Sequence, residues 1–104
     1  MTNIGSNDTT EQTYNHAISF EKTGNYIDAY VMYDASLKNG YTKANTNIGF
    51  LYLEGRGVEK NINTAIKYFN SAENDPLALL HLANIYYNGI DTTINLLPFY
   101  DSIM

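Results

Sequence analysis

The sequence predicts an all-α fold, a short solenoid of about three helix hairpins, on three observations. Apolar residues recur at three- and four-residue spacing along five stretches. Glycine and asparagine, at Gly24-Asn25, Asn39-Gly40 and Gly55, cut those stretches into lengths of one short helix each. The chain also matches itself, since Ala44, Ile48, Gly49, Tyr52 and Gly55 fall on Ala78, Leu82, Ala83, Tyr86 and Gly89 at a constant offset of 34 residues.

Residues 1–7 are small and polar and read as a frayed tail before a single domain over 8–104. Asp8 with Glu11 reads as a capping box opening the first helix, whose stripe of Tyr14, Ala17, Ile18 and Phe20 runs to about Thr23. Tyr26, Ala29, Tyr30, Tyr33 and Leu37 carry the second helix, closed by Asn39-Gly40. The third is expected from Thr42 to Leu53 and the fourth from Ile62 to about Glu73, with Asn61 as its N-cap. Asn74-Asp75-Pro76 restarts the chain, because aspartate caps and proline is tolerated in the first turn, where its missing N–H has no helical partner to lose. The fifth stripe is Leu77, Ala78, Leu82, Ala83 and Tyr86, ending at Gly89. A sixth helix capped by Asp91 would carry Ile94, Leu97 and Tyr100, but Pro98 in its interior makes it short, kinked or frayed.

The first hairpin matches the second at an offset of 32 in its first helix (Ala17 to Gly49, Phe20 to Tyr52) and 36 in its second (Ala29 to Ala65, Tyr33 to Phe69, Ser36 to Ala72). The difference of four residues is the extra length of the loop Gly55 to Asn61. Small residues at Ala17, Gly49, Ala83, Ala29, Ala65 and Ala72 allow close helix approach, and Phe20, Tyr52, Tyr86, Tyr33 and Phe69 fill the gaps. The three units are 8–40, 41–73 and a partial, atypical 74–104.

The pattern Ala44-x3-Ile48-Gly49-x2-Tyr52-x2-Gly55-x-Gly57-Val58-x2-Asn61-x3-Ala65-x2-Tyr68-Phe69-x2-Ala72 resembles a Sel1-like repeat, the longer-looped relative of the tetratricopeptide repeat. The first hairpin, through Gly24-Asn25-Tyr26-x2-Ala29-x3-Tyr33-x2-Ser36, is similar to an ordinary tetratricopeptide repeat. The third unit departs after Gly89, where Ile90 and Asp91 replace the rest of the long loop. The resemblance implies an α-α superhelix of right hand whose first helices line a concave groove, and a role as adaptor or scaffold for other proteins rather than as an enzyme.

Composition narrows the function classes. A net charge of -5 with scattered acids leaves no basic face for nucleic acid. The absence of cysteine removes disulfides, thiol catalysis and zinc-thiolate sites. No apolar run approaches the roughly 18 to 20 residues that span a bilayer, and Met1 to Thr10 lacks a signal-peptide pattern, so a cytoplasmic protein without membrane contact is expected. The loop with Arg56 looks like a phosphate cradle, yet it joins two helices and lacks the strand and the Gly-Lys-Ser/Thr ending such loops need. Its glycines read as positions for positive φ, with Val58 tucked back onto the hairpin. His16 and His81 lie in different repeats, so no catalytic set, metal site or cofactor is expected.

The candidate contact surface is the groove. One face of the third helix carries Lys43, Thr46, Asn47, Phe50 and Glu54, and the matching face of the fifth carries Leu77, Leu80, His81, Asn84, Tyr87 and Asn88. In the first helix that face holds Tyr14, Asn15, Ile18, Glu21 and Lys22. Amides and imidazoles can hydrogen-bond a peptide backbone and aromatic rings can anchor apolar side chains, which singles out Asn47, Phe50, His81, Asn84 and Tyr87 as partner-binding residues. The expected partner is a protein or peptide. An alternative reading is an inhibitor or immunity protein that blocks a cognate enzyme. Leu96, Leu97, Phe99 and Ile103 leave an apolar C-terminal end through which the chain is also expected to self-associate.

Overall fold

The computed structural model describes residues 5–72 and 74–88. Over these the chain forms five helices: α1 (Gly5–Lys22), α2 (Tyr26–Lys38), α3 (Ala44–Glu54), α4 (Ile62–Ser71) and α5 (Pro76–Asn88). Each packs on the helix before and after it, so the described part is two complete hairpins and the opening helix of a third. The sixth helix, Pro98 and the apolar terminus at Leu96, Leu97, Phe99 and Ile103 lie outside the described residues.

The turn between α1 and α2 follows from Gly24. At φ +83 it takes the left-handed conformation that closes a helix, and the N–H groups of Gly24 and Asn25 donate back to the carbonyls of Glu21 (3.1 Å) and Phe20 (2.8 Å). The same pair of bonds recurs at Gly40, from Gly40 to Leu37 and from Tyr41 to Ser36. At α4 the expected cap is present, with Asn61 Oδ1 accepting the Thr64 N–H at 3.0 Å. At α5, Asp75 Oδ1 accepts the Leu77 N–H at 3.0 Å just ahead of Pro76.

The start of α1 corrects the sequence reading. Within the described residues α1 already runs from Gly5, so Asp8 stands within it and not at its N-cap. Ser6, Asn7, Asp8, Thr9 and Thr10 all belong to cap-favouring types, so residue type alone does not single out one of them as the cap.

Two clusters form the core. Tyr14, Ala17, Ala29, Tyr33, Ala44, Ile48 and Leu51 join α1, α2 and α3, while Ala65, Phe69, Ala72, Ala78, Leu82 and Ile85 join α4 and α5. The small residues do the expected work: a Cβ on Gly49 would come within 2.6 Å of the Phe69 ring, so α3 meets α4 at a distance only glycine allows. The buried stripe of α5 is Ala78, Leu82 and Ile85, whereas Leu77 and Tyr86 of the expected stripe are exposed, at 56% and 60%. Ile85 aligns with the buried Leu51 of α3 at the 34-residue offset, which accounts for its position.

Candidate interaction groove

Two faces of α5 bear on the groove. Ala78, Leu82 and Ile85 are turned into the core, with His81 beside them. Leu77, Leu80, Asn84 and Tyr87 recur at three- and four-residue spacing on the predicted groove face, and Leu77, Leu80 and Tyr87 are 56%, 48% and 41% exposed. Asn84 is half-buried. The corresponding positions of α3 are Lys43, Thr46, Phe50 and Leu53.

Three of the five residues singled out from the sequence, Asn47, Phe50 and His81, pack on or bond to other helices. Asn47 lies in a directed chain of hydrogen bonds: the Tyr14 hydroxyl donates to Asn47 Oδ1 at 2.8 Å, Asn47 Nδ2 donates to the Tyr33 hydroxyl at 3.3 Å, and that hydroxyl donates to Glu21 Oε1 at 2.6 Å. Three helices are tied together by this relay, which ends on a carboxylate. Burial, together with the carboxylate that accepts its proton's bond, pushes the Tyr33 phenol far above its ordinary value. Burial also raises that of Tyr14, whose ring packs against Tyr33 and Tyr41 at centroid distances of 5.5 and 4.8 Å, with the Lys43 ammonium 5.6 Å from its centre.

His81 belongs to a second inter-helix assembly. Its ring stacks on Phe69 of α4 at 5.1 Å and tilts against Phe50 of α3 at 5.3 Å. Burial between these rings lowers its pKa, against weaker upward pulls from Asp75 and Glu54. The arrangement favours a neutral imidazole held by three helices. Phe50 is half-buried and meets the Arg56 guanidinium 5.7 Å above its ring, and Arg56 also covers Tyr26 at 5.3 Å.

Arg56 therefore braces the long loop against Tyr26 and Phe50. Gly55 and Gly57 both hold positive φ, and Val58 packs on the first cluster, as the sequence reading required. The loop's more telling contact is with the previous hairpin: a Cβ on Gly57 would lie 2.5 Å from the Tyr26 carbonyl oxygen.

A further polar joint links α3 to the start of α5. The Thr46 hydroxyl donates to Asp75 Oδ2 at 2.6 Å while the other oxygen caps α5, and Asn45 Nδ2 reaches the Ser71 carbonyl at 3.4 Å. Beside it lies an open depression of about 670 Å³, lined by Thr42, Lys43, Ser71, Ala72, Asn74, Asp75 and Pro76. It holds one lysine and one aspartate whose carboxylate already serves as cap and acceptor. Among the described residues no group of three or more histidine and acidic side chains could hold a metal ion, and His16 is exposed on α1.

The Tyr33 relay escaped the sequence reading although a signal was present. Tyr33 stands where the second repeat has Phe69, so its hydroxyl is an added polar group that a buried site has to satisfy. In comparison with known families, the Sel1 repeat matches residues 42–74 and again 76–96, more than half of the chain. The chain belongs to the Sel1-repeat family. Sel1 repeats build an all-α superhelix and generally serve protein–protein interaction. The matched stretches start at the turn into α3 and at the first residue of α5, and the α1–α2 hairpin lies ahead of both. No curated protein and no solved structure matches the chain. Among the described residues, no helix is long and apolar enough to cross a membrane.

Proposed function

We propose that this Sel1-repeat chain is a non-catalytic interaction module that binds a protein or peptide along the face shared by α3 and α5. The observation that carries the reading is the row Leu77, Leu80, Asn84 and Tyr87 along α5, in which both leucines and the tyrosine are exposed and Asn84 is half-buried. Rings and leucines there would anchor apolar side chains of the partner, and Asn84 would hydrogen-bond its backbone. Asn47 and His81 act from behind the surface: the first orients Tyr14 and Tyr33, and the second supports Phe50.

This division of roles is testable by affinity capture with mass spectrometry. A variant combining Leu80→Ser, Asn84→Ala and Tyr87→Ser should keep its helical circular dichroism and lose the partners that wild type retains. Asn47→Ala and His81→Ala should instead lower the thermal midpoint. Undiminished capture by the folded triple variant would refute the reading.

A further inference from the structure

Arg56 is held at both ends. Its backbone N–H donates to the Leu51 carbonyl at 2.9 Å, and it stands between Gly55 and Gly57, whose positive φ and, at Gly57, close approach to the Tyr26 carbonyl fix the hinge. Its guanidinium lies over the rings of Tyr26 and Phe50, 5.3 and 5.7 Å from their centres. Ring faces offer its five N–H donors no oxygen or nitrogen acceptor. The side chain makes no hydrogen bond and no ion pair among the described residues, where Lys38 with Asp34 is the one ion pair. Its nitrogens still reach solvent, since Ser36 Oγ is the only buried side-chain polar atom without a partner among those residues. The position equivalent to Arg56 in the third unit, at the 34-residue offset, is Ile90, so the repeat itself does not call for a cation there.

We propose that Arg56 binds a carboxylate of the partner, next to an apolar side chain seated on Phe50, so that the segment recognised in the groove is acidic at that end. The inference rests on the groove reading above and adds the partner's chemistry to it. Preorganisation favours it: an arginine ordinarily loses rotamer freedom on pairing, whereas two rings and a fixed hinge already order this one. The arrangement of acids favours it too. Glu21 accepts the Tyr33 hydroxyl, and the two oxygens of Asp75 accept from Thr46 and the Leu77 N–H, so both carboxylates are engaged elsewhere. Glu54, exposed at the end of α3 and two residues before Arg56, makes no ion pair with it and lowers the local positive charge. One guanidinium with an acid two residues back suits a single carboxylate, held through two parallel N–H bonds, better than a phosphate dianion.

A random peptide library with free C-termini, selected on the full chain, tests this. Selected peptides should carry a carboxylate at a fixed offset from an apolar residue. Fluorescence polarisation of one such peptide then completes a double-mutant cycle. On wild type, replacing the peptide's carboxylate by its amide should weaken binding about tenfold or more, a comparison that needs no variant to fold. On Arg56→Met, which keeps an unbranched apolar side chain against the two rings, the acid and amide peptides should bind alike. Arg56→Lys should recover part of the loss, and Lys60→Met, which removes the same charge from an exposed position of the same loop, should cost less than about threefold. Side-chain and C-terminal carboxylates, amidated in separate peptides, show which of the two Arg56 holds. Selected peptides without a carboxylate, an acid preference that survives Arg56→Met, or an equal loss with Lys60→Met would overturn the proposal and leave the groove reading intact. Acid recognition that depends on Arg56 but not on Leu80, Asn84 and Tyr87 would sink the groove reading alone, and a library that yields no binder would sink both.

Discussion

Replacing Gly57 by alanine isolates the contact between the long loop and the hairpin before it. Two terms oppose the change. At φ +76 a Cβ meets its own backbone, at about 1–2 kcal/mol. It would also lie 2.5 Å from the Tyr26 carbonyl oxygen, 2.6 Å from its carbon and 2.9 Å from the Ile27 nitrogen. These are backbone atoms at the first turn of α2 and cannot rotate aside, so overpacking adds about 1–3 kcal/mol. A stiffer unfolded chain returns about 0.4–1 kcal/mol. The net loss is about 2–4 kcal/mol. Gly24 provides the control, since it has φ +83 and a Cβ added to it would meet nothing within 4 Å, so Gly24→Ala carries the backbone term alone. Its net cost is about 1 kcal/mol. Thermal and urea unfolding followed by far-UV circular dichroism should rank Gly57→Ala well below Gly24→Ala, with about 4–8 °C in midpoint for each kcal/mol between them. Equal losses, within about 0.5 kcal/mol, would refute the claim that the loop is seated on α2.

Two other outcomes follow from buried polar groups. Ser36 is fully buried and its hydroxyl has no partner among the described residues, while Ala72 stands at the equivalent place in the second repeat; Ser36→Ala should therefore raise stability by about 0.5–1 kcal/mol, measured by urea titration, and a loss would mean the hydroxyl is satisfied. His81 titrates below the ordinary value of 6.5 because burial disfavours its charged form. The unfolded chain therefore binds that proton more readily, so this contribution to stability is intact above 6.5 and is lost as pH falls toward the lower folded value. His81→Phe, which keeps a ring between Phe69 and Phe50, should flatten stability against pH over that acidic window; an unchanged slope would place the proton elsewhere.

The elements legible in the sequence are those fixed by local chemistry. Asn61, Asp75-Pro76, Gly24 and Gly40 each act on backbone groups within a few residues, and each was readable for that reason. The start of α1 was not, because several neighbouring residues could cap it equally well. Periodicity correctly assigns Ala78 and Leu82 to the core, and it places Leu80, Asn84 and Tyr87 together on one helix face. It does not say what lies opposite a residue at the border between two faces. Asn47 and His81 occupy such borders, and their partners Tyr14, Tyr33 and Phe69 are set by how one helix is positioned against another at sequence separations of 12 to 33.

The seat of Gly57 on Tyr26 also bears on how the chain comes apart. In an ideal repeat array each unit has its own stability and an interface with its neighbour. Here the hinge of the second hairpin is shaped against the first turn of α2, with Arg56 laid over the same tyrosine. The expected unit of cooperative melting is then staggered by half a repeat relative to the unit visible in the sequence. Hydrogen exchange should show amides of the Gly55–Asn61 loop opening together with those at the start of α2. A fragment beginning at Tyr41 would carry a complete repeat by sequence and a loop with nothing to rest on.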